Sequence, residues 1–266
     1  LQGIILAFAG RVLLQRTNFS LERGKVYGVV GQNGTGKTTL LNRVAAKDIQ
    51  GFPEGVSVYY IQHELLSEKS ETIVDFMVAN VPEGVSKETV VNTLRDVGFD
   101  DEKMAATIQS LSGGWRMKLA IARAMLWDAE VLLLDEPTNH LDVHALTWLE
   151  EFLQRWDKTV VLVSHDRGFL NGTTTATAFL HNKRLRYYGG NYDTFVKVRS
   201  EHRANETSVR ANQQQREGHL KNFIQKFGQG HQKMVSISHL HILPDDCPYT
   251  TDISFLSPRS SKRSAG

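Results

Sequence analysis

The chain has 266 residues, 41% of them hydrophobic and 23% charged, enough to bury a real core in one or two domains. No apolar run approaches the ~18 residues of a membrane span, no N-terminal succession resembles a secretory leader, and a single cysteine, Cys247, excludes an internal disulfide and an all-cysteine metal site. The net charge of +2 hides an asymmetry: residues 1–182 carry 17 basic against 22 acidic side chains, and residues 183–266 carry 14 against 7. The first residue is leucine rather than methionine, so a fragment of a longer protein is expected.

In chain order, the first strand is read over residues 4–8 and ends at Phe8. A second runs over 26–30, and others over 57–61, 131–134 and 159–163. The strand at 26–30 leads into Gly31-Gln32-Asn33-Gly34-Thr35-Gly36-Lys37-Thr38, followed by Thr39. This fills the phosphate-loop pattern G-x-x-x-x-G-K-S/T in its proper place, between a strand and a helix carrying Leu40, Leu41 and Val44. Glycines let the backbone wrap an anion with N–H groups pointing inward, and the helix N-terminus adds a positive dipole. Lys37 is expected to reach the β- and γ-phosphates and Thr38 to ligate Mg²⁺. A plain glycine-rich turn is the weaker alternative.

The strand at 57–61 is followed by Gln62. From about 65 to 128 β signals are few, and a helical lobe is expected. Near its end Leu111-Ser112-Gly113-Gly114-Trp115 precedes a helix with apolar residues at Met117, Ala120, Ile121, Ala124 and Met125. Ser112, Gly113 and Gly114 at a helix start make a second anion-binding tip, or else a simple serine cap. The strand at 131–134 ends in Asp135 and Glu136. Asp135 is expected to hold Mg²⁺ through its water shell and Glu136 to orient and polarise the attacking water. Leu146, Leu149, Phe152, Leu153 and Trp156 give the next helix. After the strand at 159–163, His165 is placed to bond the γ-phosphate and the water. Strands alternating with helices argue for an α/β fold with a parallel sheet.

From Lys197 to Met234 the chain turns polar and basic, with an apolar stripe at Leu220, Phe223, Ile224 and Phe227 that predicts a long helix. Residues 235–266 collect Pro244, Pro248 and Pro258 among serines, a disordered-tail composition.

Taken together, Phe8, the phosphate loop, Gln62, Leu-Ser-Gly-Gly, the paired carboxylates, Leu141-Asp142 and His165 resemble an ATP-binding cassette, the nucleotide-binding domain of ABC proteins. The resemblance covers residues 1–195 and implies the P-loop fold of that domain. It also implies that Phe8 stacks on adenine, that Gln62 contacts Mg²⁺ and water, and that Asp142 communicates between cassettes. Glu136-Pro-Thr-Asn-His-Leu-Asp142, Ser164-His-Asp-Arg-Gly-Phe-Leu170 and Trp115 resemble subfamily F, the soluble twin-cassette ATPases that act on ribosomes, in its elongation-factor-three-like and kinase-regulator-like eukaryotic branch. Gly190-Asn-Tyr-Asp-Thr-Phe195 and the polar segment over 196–234 resemble the start of that subfamily's interdomain arm, which reaches toward transfer RNA.

The resemblance implies that two cassettes sandwich each ATP between the phosphate loop of one and the Ser-Gly-Gly tip of the other. A chain with one of each needs a second cassette, in the intact protein or by dimerising. The expected function is ATP hydrolysis in translation, with the ribosome and transfer RNA as partners of the arm and no transmembrane partner. The location expected is cytoplasmic, an organelle being left open. The alternative is the ATPase subunit of an ABC membrane transporter, and the third reading is an interaction protein with a decayed site, against which Lys37, Asp135, Glu136 and His165 are all intact.

Overall fold

The computed structural model describes residues 1–61 and 71–227. Gln62, the last part of the expected arm and the expected tail at 235–266 lie outside the described residues.

The elements, in order, are β1 (Ile4–Phe8), β2 (Arg11–Thr17), β3 (Val26–Gly31), α1 (Lys37–Ala45), β4 (Val58–Ile61), α2 (Ile73–Ala79), α3 (Lys87–Asp96), α4 (Asp101–Ala105), a 3-10 turn at Ile108–Ser110, α5 (Gly113–Leu126), β5 (Val131–Asp135), α6 (Val143–Arg155), β6 (Thr159–Val163), α7 (Arg167–Thr173), β7 (Ala176–His181), β8 (Arg184–Gly189) and α8 (Tyr192–Phe227). The main sheet has the order β4-β5-β6-β3-β7-β8. Its first five strands are parallel, and β8 returns antiparallel along β7.

The expected strand at 4–8 is present but belongs elsewhere. It pairs with β2 in a separate two-stranded antiparallel sheet. The reason is the connection: Ala9 and Gly10 both take positive φ, the two-residue turn whose twist suits a hairpin. Asn182 and Lys183 do the same between β7 and β8.

The central strands show why the parallel sheet holds. Along β5, Leu132 and Leu134 enter one core while Val131 and Leu133 enter another. Along β6 the same alternation sends Val160 and Leu162 one way, Val161 and Val163 the other. Side chains of a strand alternate between faces, so a continuous apolar run signals a sheet covered on both. One face packs on α5 and α6. The other packs on Leu40, Leu41 and Val44 of α1 and on Ile4, Leu6 and Leu14 of the small sheet.

Between β4 and β5 the described chain is helical, in α2, α3, α4, the 3-10 turn and α5. Thr72, Ser86 and Asp100 start α2, α3 and α4 by accepting backbone N–H bonds from Asp75, Thr89 and Lys103. Each such cap is worth about 1 kcal/mol. Ile73, Phe76, Met77, Val90 and Leu94 then bury their faces against α5.

The described residues fall into two compact units, one reaching Glu206 and one beginning at Thr207. The first runs past residue 195, where the resemblance to a cassette ends. Phe195 is buried at 2% exposure, ringed by Phe179, Tyr188 and Tyr192, and the Arg199 guanidinium lies 3.9 Å from the Phe179 ring centre. Burying one such ring contributes roughly 1.5–3 kcal/mol. In the second unit, Val209, Leu220 and Phe223 are exposed on α8.

Candidate nucleotide site

β3 ends where the phosphate loop begins, and α1 starts at Lys37. Gly36, the residue before it, has φ 98, and a Cβ there would lie 2.8 Å from Leu13 Cδ1. Gly31 is equally constrained, since its Cβ would meet the Leu180 carbonyl oxygen at 2.8 Å. These two glycines are required by close packing. Gly34, at φ 74, faces open space, which leaves room for an anion at the backbone. The Lys37 ammonium donates to the carbonyl oxygens of Gly31 at 3.0 Å and Gln32 at 3.3 Å. Thr35 Oγ1 donates to Gln32 at 2.7 Å.

A cleft of about 720 Å³ opens beside this loop, lined by Phe8, Asn33, Gly34, Gly36, Lys37, Thr38, Thr39, Glu136 and His165. Phe8 stands 57% exposed at its wall. Its free ring face is suited to stacking on a flat base. Gln32 and Thr35 line a neighbouring hollow with Arg11 and Leu13. Gly31 lines a third with Lys37, Ser164, His165, Arg167 and Tyr192.

Asp135 and Glu136 divide the work at the end of β5. Asp135 Oδ2 accepts a bond from the Tyr60 hydroxyl at 3.1 Å, whereas Asp135 Oδ1 is buried without a partner. An unpartnered buried carboxylate oxygen is costly unless something else satisfies it. A hard cation fits that oxygen, so Asp135 and the Thr38 hydroxyl are the described residues that would hold Mg²⁺. Among the described residues there is no cluster of three or more His, Cys, Asp or Glu that could hold a metal alone.

The backbone of Glu136 takes φ 48, an uncommon state for a residue with a Cβ, held by its N–H bond to the Val163 carbonyl at 2.9 Å. Its carboxylate is tied to the end of β6: His165 N–H donates to Oε2 at 3.3 Å, and His165 Nε2 lies 3.3 Å from Oε1. Burial raises the Glu136 carboxyl above its ordinary value, a shift that the His165 and Lys37 charges oppose. A carboxylate with a raised pKa is a better proton acceptor near neutrality. Ser164 is buried and exchanges a hydroxyl contact with Thr138 at 3.1 Å, which joins the segments carrying His165 and Glu136.

Ser112, Gly113 and Gly114 do not line this cleft. Ser112 stands at the N-cap of α5, yet its side chain makes no capping bond, so the serine-cap alternative is not what the structure shows. Both glycines are needed for packing. A Cβ on Gly113 would lie 2.4 Å from the His140 carbonyl oxygen, and one on Gly114 would lie 2.6 Å from Ala145 Cβ. The tip is thus seated on the segment after Glu136. Asp142, in that segment, caps α6 by accepting from the Ala145 N–H at 2.8 Å. Trp115 packs edge-on against Phe99, with the Lys118 ammonium 4.5 Å from its ring centre.

Sequence reasoning did not single out Tyr60 or Arg11, and it read Tyr192 only as part of the start of the arm. Tyr60 left no signal in the sequence: it lies opposite Leu133 on β5 and shares a sheet face with Asp135 two residues on, a register that only the structure gives.

The comparisons with known proteins agree with this geometry. The family model described as "ABC transporter" matches residues 14–139, and a second, extension model of the same description matches residues 178–237. The chain is 43% identical over 216 residues to NU+ prion formation protein 1 of Saccharomyces cerevisiae, covering 79% of this chain and 18% of that protein. It is 43% identical over 195 residues to elongation factor 3 of Candida albicans, covering 72% of this chain and 19% of that protein. The chain therefore spans about a fifth of the length of these relatives. A solved dimeric ATP-binding cassette in a post-hydrolysis state with ADP and Pi shares the fold, at TM-score 0.56 and 17% identity over 71% of this chain and 97% of that one. Among the described residues no helix is long and apolar enough to cross a membrane. The chain carries an ATP-binding-cassette domain, matched by the ABC transporter family model, and across it resembles elongation factor 3 proteins.

Proposed function

We propose that this chain is one cassette of an ATP-hydrolysing switch that works in the cytoplasm on the ribosome. The observation that carries the reading is a division of labour within one cassette. The phosphate loop, Glu136 and His165 share a cleft, while Ser112, Gly113 and Gly114 stand apart from it with the serine hydroxyl unused for capping. Each half completes the other only across two cassettes.

In this reading Phe8 stacks on the adenine. Gly34 and its neighbours wrap the phosphates, and Lys37 exchanges its loop carbonyls for β- and γ-phosphate oxygens. Thr38, Asp135 and Gln62 hold Mg²⁺, which neutralises charge on the phosphates when bound. Glu136 takes the proton of the attacking water, and His165 fixes the Glu136 carboxylate and reaches the γ-phosphate. Ser112 and the α5 N-terminus of a second cassette close over that phosphate, and hydrolysis removes the bridge. Asp142 lies where the two cassettes would meet.

The relatives support a translation role, since two of the best matches are elongation factor 3 proteins. The basic stretch of α8 supports a nucleic-acid contact, because Lys and Arg release counterions on meeting phosphates. Tyr192, the first residue of α8, lines one hollow with Lys37 and His165, so the root of the helix adjoins the phosphate site. The test is cosedimentation with ribosomes, with and without ATP. Charge reversal at Arg203, Arg210, Arg216 and Lys221 is expected to weaken association and flatten its salt dependence by about one logarithmic unit per lost phosphate contact. Nucleotide affinity should stay unchanged. An unaltered salt slope would contradict the RNA contact.

A further inference from the structure

The pair Tyr60–Asp135 sits at the ends of two neighbouring parallel strands, β4 and β5, that α1 packs against. β4 and β5 are in register with Tyr60 opposite Leu133. Side chains alternate along a strand, so Leu133 and Asp135 share a face, and Tyr60 is the diagonal neighbour of Asp135 on it. An aromatic side chain can span that diagonal. Here it does: the phenol hydroxyl donates to Asp135 Oδ2 at 3.1 Å. The ring itself is fixed, partly buried against the core that holds Leu133, Leu40 and Leu41.

The consequence lies in the other oxygen. Asp135 Oδ1 is buried and makes no hydrogen bond. A carboxylate free to rotate about its terminal torsion would present either oxygen, or swing both away. With Oδ2 occupied by a neutral donor on a rigid strand, one oxygen alone remains for a ligand. A hydroxyl donor also leaves the negative charge of the carboxylate in place, where a lysine or arginine at the same spot would neutralise it. The pair therefore keeps a single anionic oxygen in a fixed orientation at the end of β5, one residue before Glu136, which lines the cleft with Lys37 and Thr38.

We infer that Tyr60 is a positioning residue for magnesium: its hydroxyl holds Asp135 so that Oδ1 is presented to the cation that accompanies the nucleotide. This deepens the ATPase reading and rests on it. Outer partners of metal ligands commonly govern metal affinity by about 10- to 100-fold without touching the metal.

The substitution Tyr60→Phe removes one atom and keeps the ring. In the full chain, binding of a fluorescent N-methylanthraniloyl ATP is titrated first in EDTA and then with increasing Mg²⁺. The expected result is an unchanged affinity in EDTA and a rise of about tenfold in the Mg²⁺ concentration at half-effect. Asp135→Asn should abolish the Mg²⁺-dependent gain, and adding Tyr60→Phe to it should change nothing more, because the two act as one unit. A folded Tyr60→Phe chain with the wild-type Mg²⁺ midpoint would overturn the proposal while leaving the ATP site intact. Loss of folding in Tyr60→Phe, read by near-UV circular dichroism, would also overturn it, since the hydroxyl would then serve architecture. If the wild-type chain binds no nucleotide at all, the reading of the site falls, and this proposal with it.

Discussion

The phosphate-loop cleft and the Ser-Gly-Gly tip are both helix N-termini with glycines, yet the structure treats them differently. At the cleft, Gly34 faces open space and the charged groups Lys37, Glu136 and His165 converge. At the tip, Gly113 and Gly114 are filled from behind by His140 and Ala145, and neither lines the cleft. One region is a receptor; the other is a rigid surface presented outward on the segment that follows Glu136. Glycine thus serves openness in the first and close approach in the second. A helix start outside the cleft, whose serine hydroxyl makes no capping bond, suits the second half-site proposed above.

This contrast can be broken first at the receptor. Glu136→Gln keeps the shape of the side chain but cannot accept a proton. Turnover of a complete two-cassette site should fall by about 10²- to 10⁴-fold while nucleotide binding survives, as read by single-turnover assays beside equilibrium binding. Wild-type turnover would remove Glu136 from its role.

Lys37→Ala should act on binding instead. Loss of charge-assisted bonds worth about 1.5–3 kcal/mol weakens nucleotide affinity about 10- to 100-fold. A change in kcat alone would place Lys37 outside the ground-state contact.

A smaller effect sharpens the other side. Gly113→Ala drives a methyl toward the His140 carbonyl, so the chain should lose about 1–3 kcal/mol of stability in urea unfolding. The outcome to look for is a perturbed tip with the nucleotide affinity of the open cleft retained. If Gly113→Ala left stability unchanged but abolished nucleotide binding, the tip would belong to the same chain's cleft.

The receptor was legible in the sequence because its parts are contiguous. The loop Gly31–Thr38 lies between a strand and a helix, and Asp135 and Glu136 end a strand so apolar that only a doubly covered sheet accommodates it. The strands that periodicity missed were of another kind. β2 and β8 carry arginines, and hairpin turns at Ala9-Gly10 and Asn182-Lys183 organise them instead of hydrophobic runs. The positive φ values there belong to the structure, and only Gly10 and Asn182 are residue types that favour them. Tyr60 was invisible for a different reason: its role depends on register with a strand some 70 residues away, and hydrogen bonds between non-local partners leave no spacing to read. Asp142 shows the converse. Its side chain caps α6, a local task that Asp-x-x-Ala at a helix start announces plainly.

The central claim is that this cassette holds two complementary half-sites and cannot close one on itself. ATP turnover by the purified 266-residue chain, followed across protein concentration at saturating Mg²⁺ and ATP, tests it most directly. The account predicts slow turnover when dilute and a rise steeper than linear in protein concentration as second copies supply Ser112 and its glycines. Robust hydrolysis by a chain shown to be monomeric, with a rate per molecule independent of concentration, would contradict it.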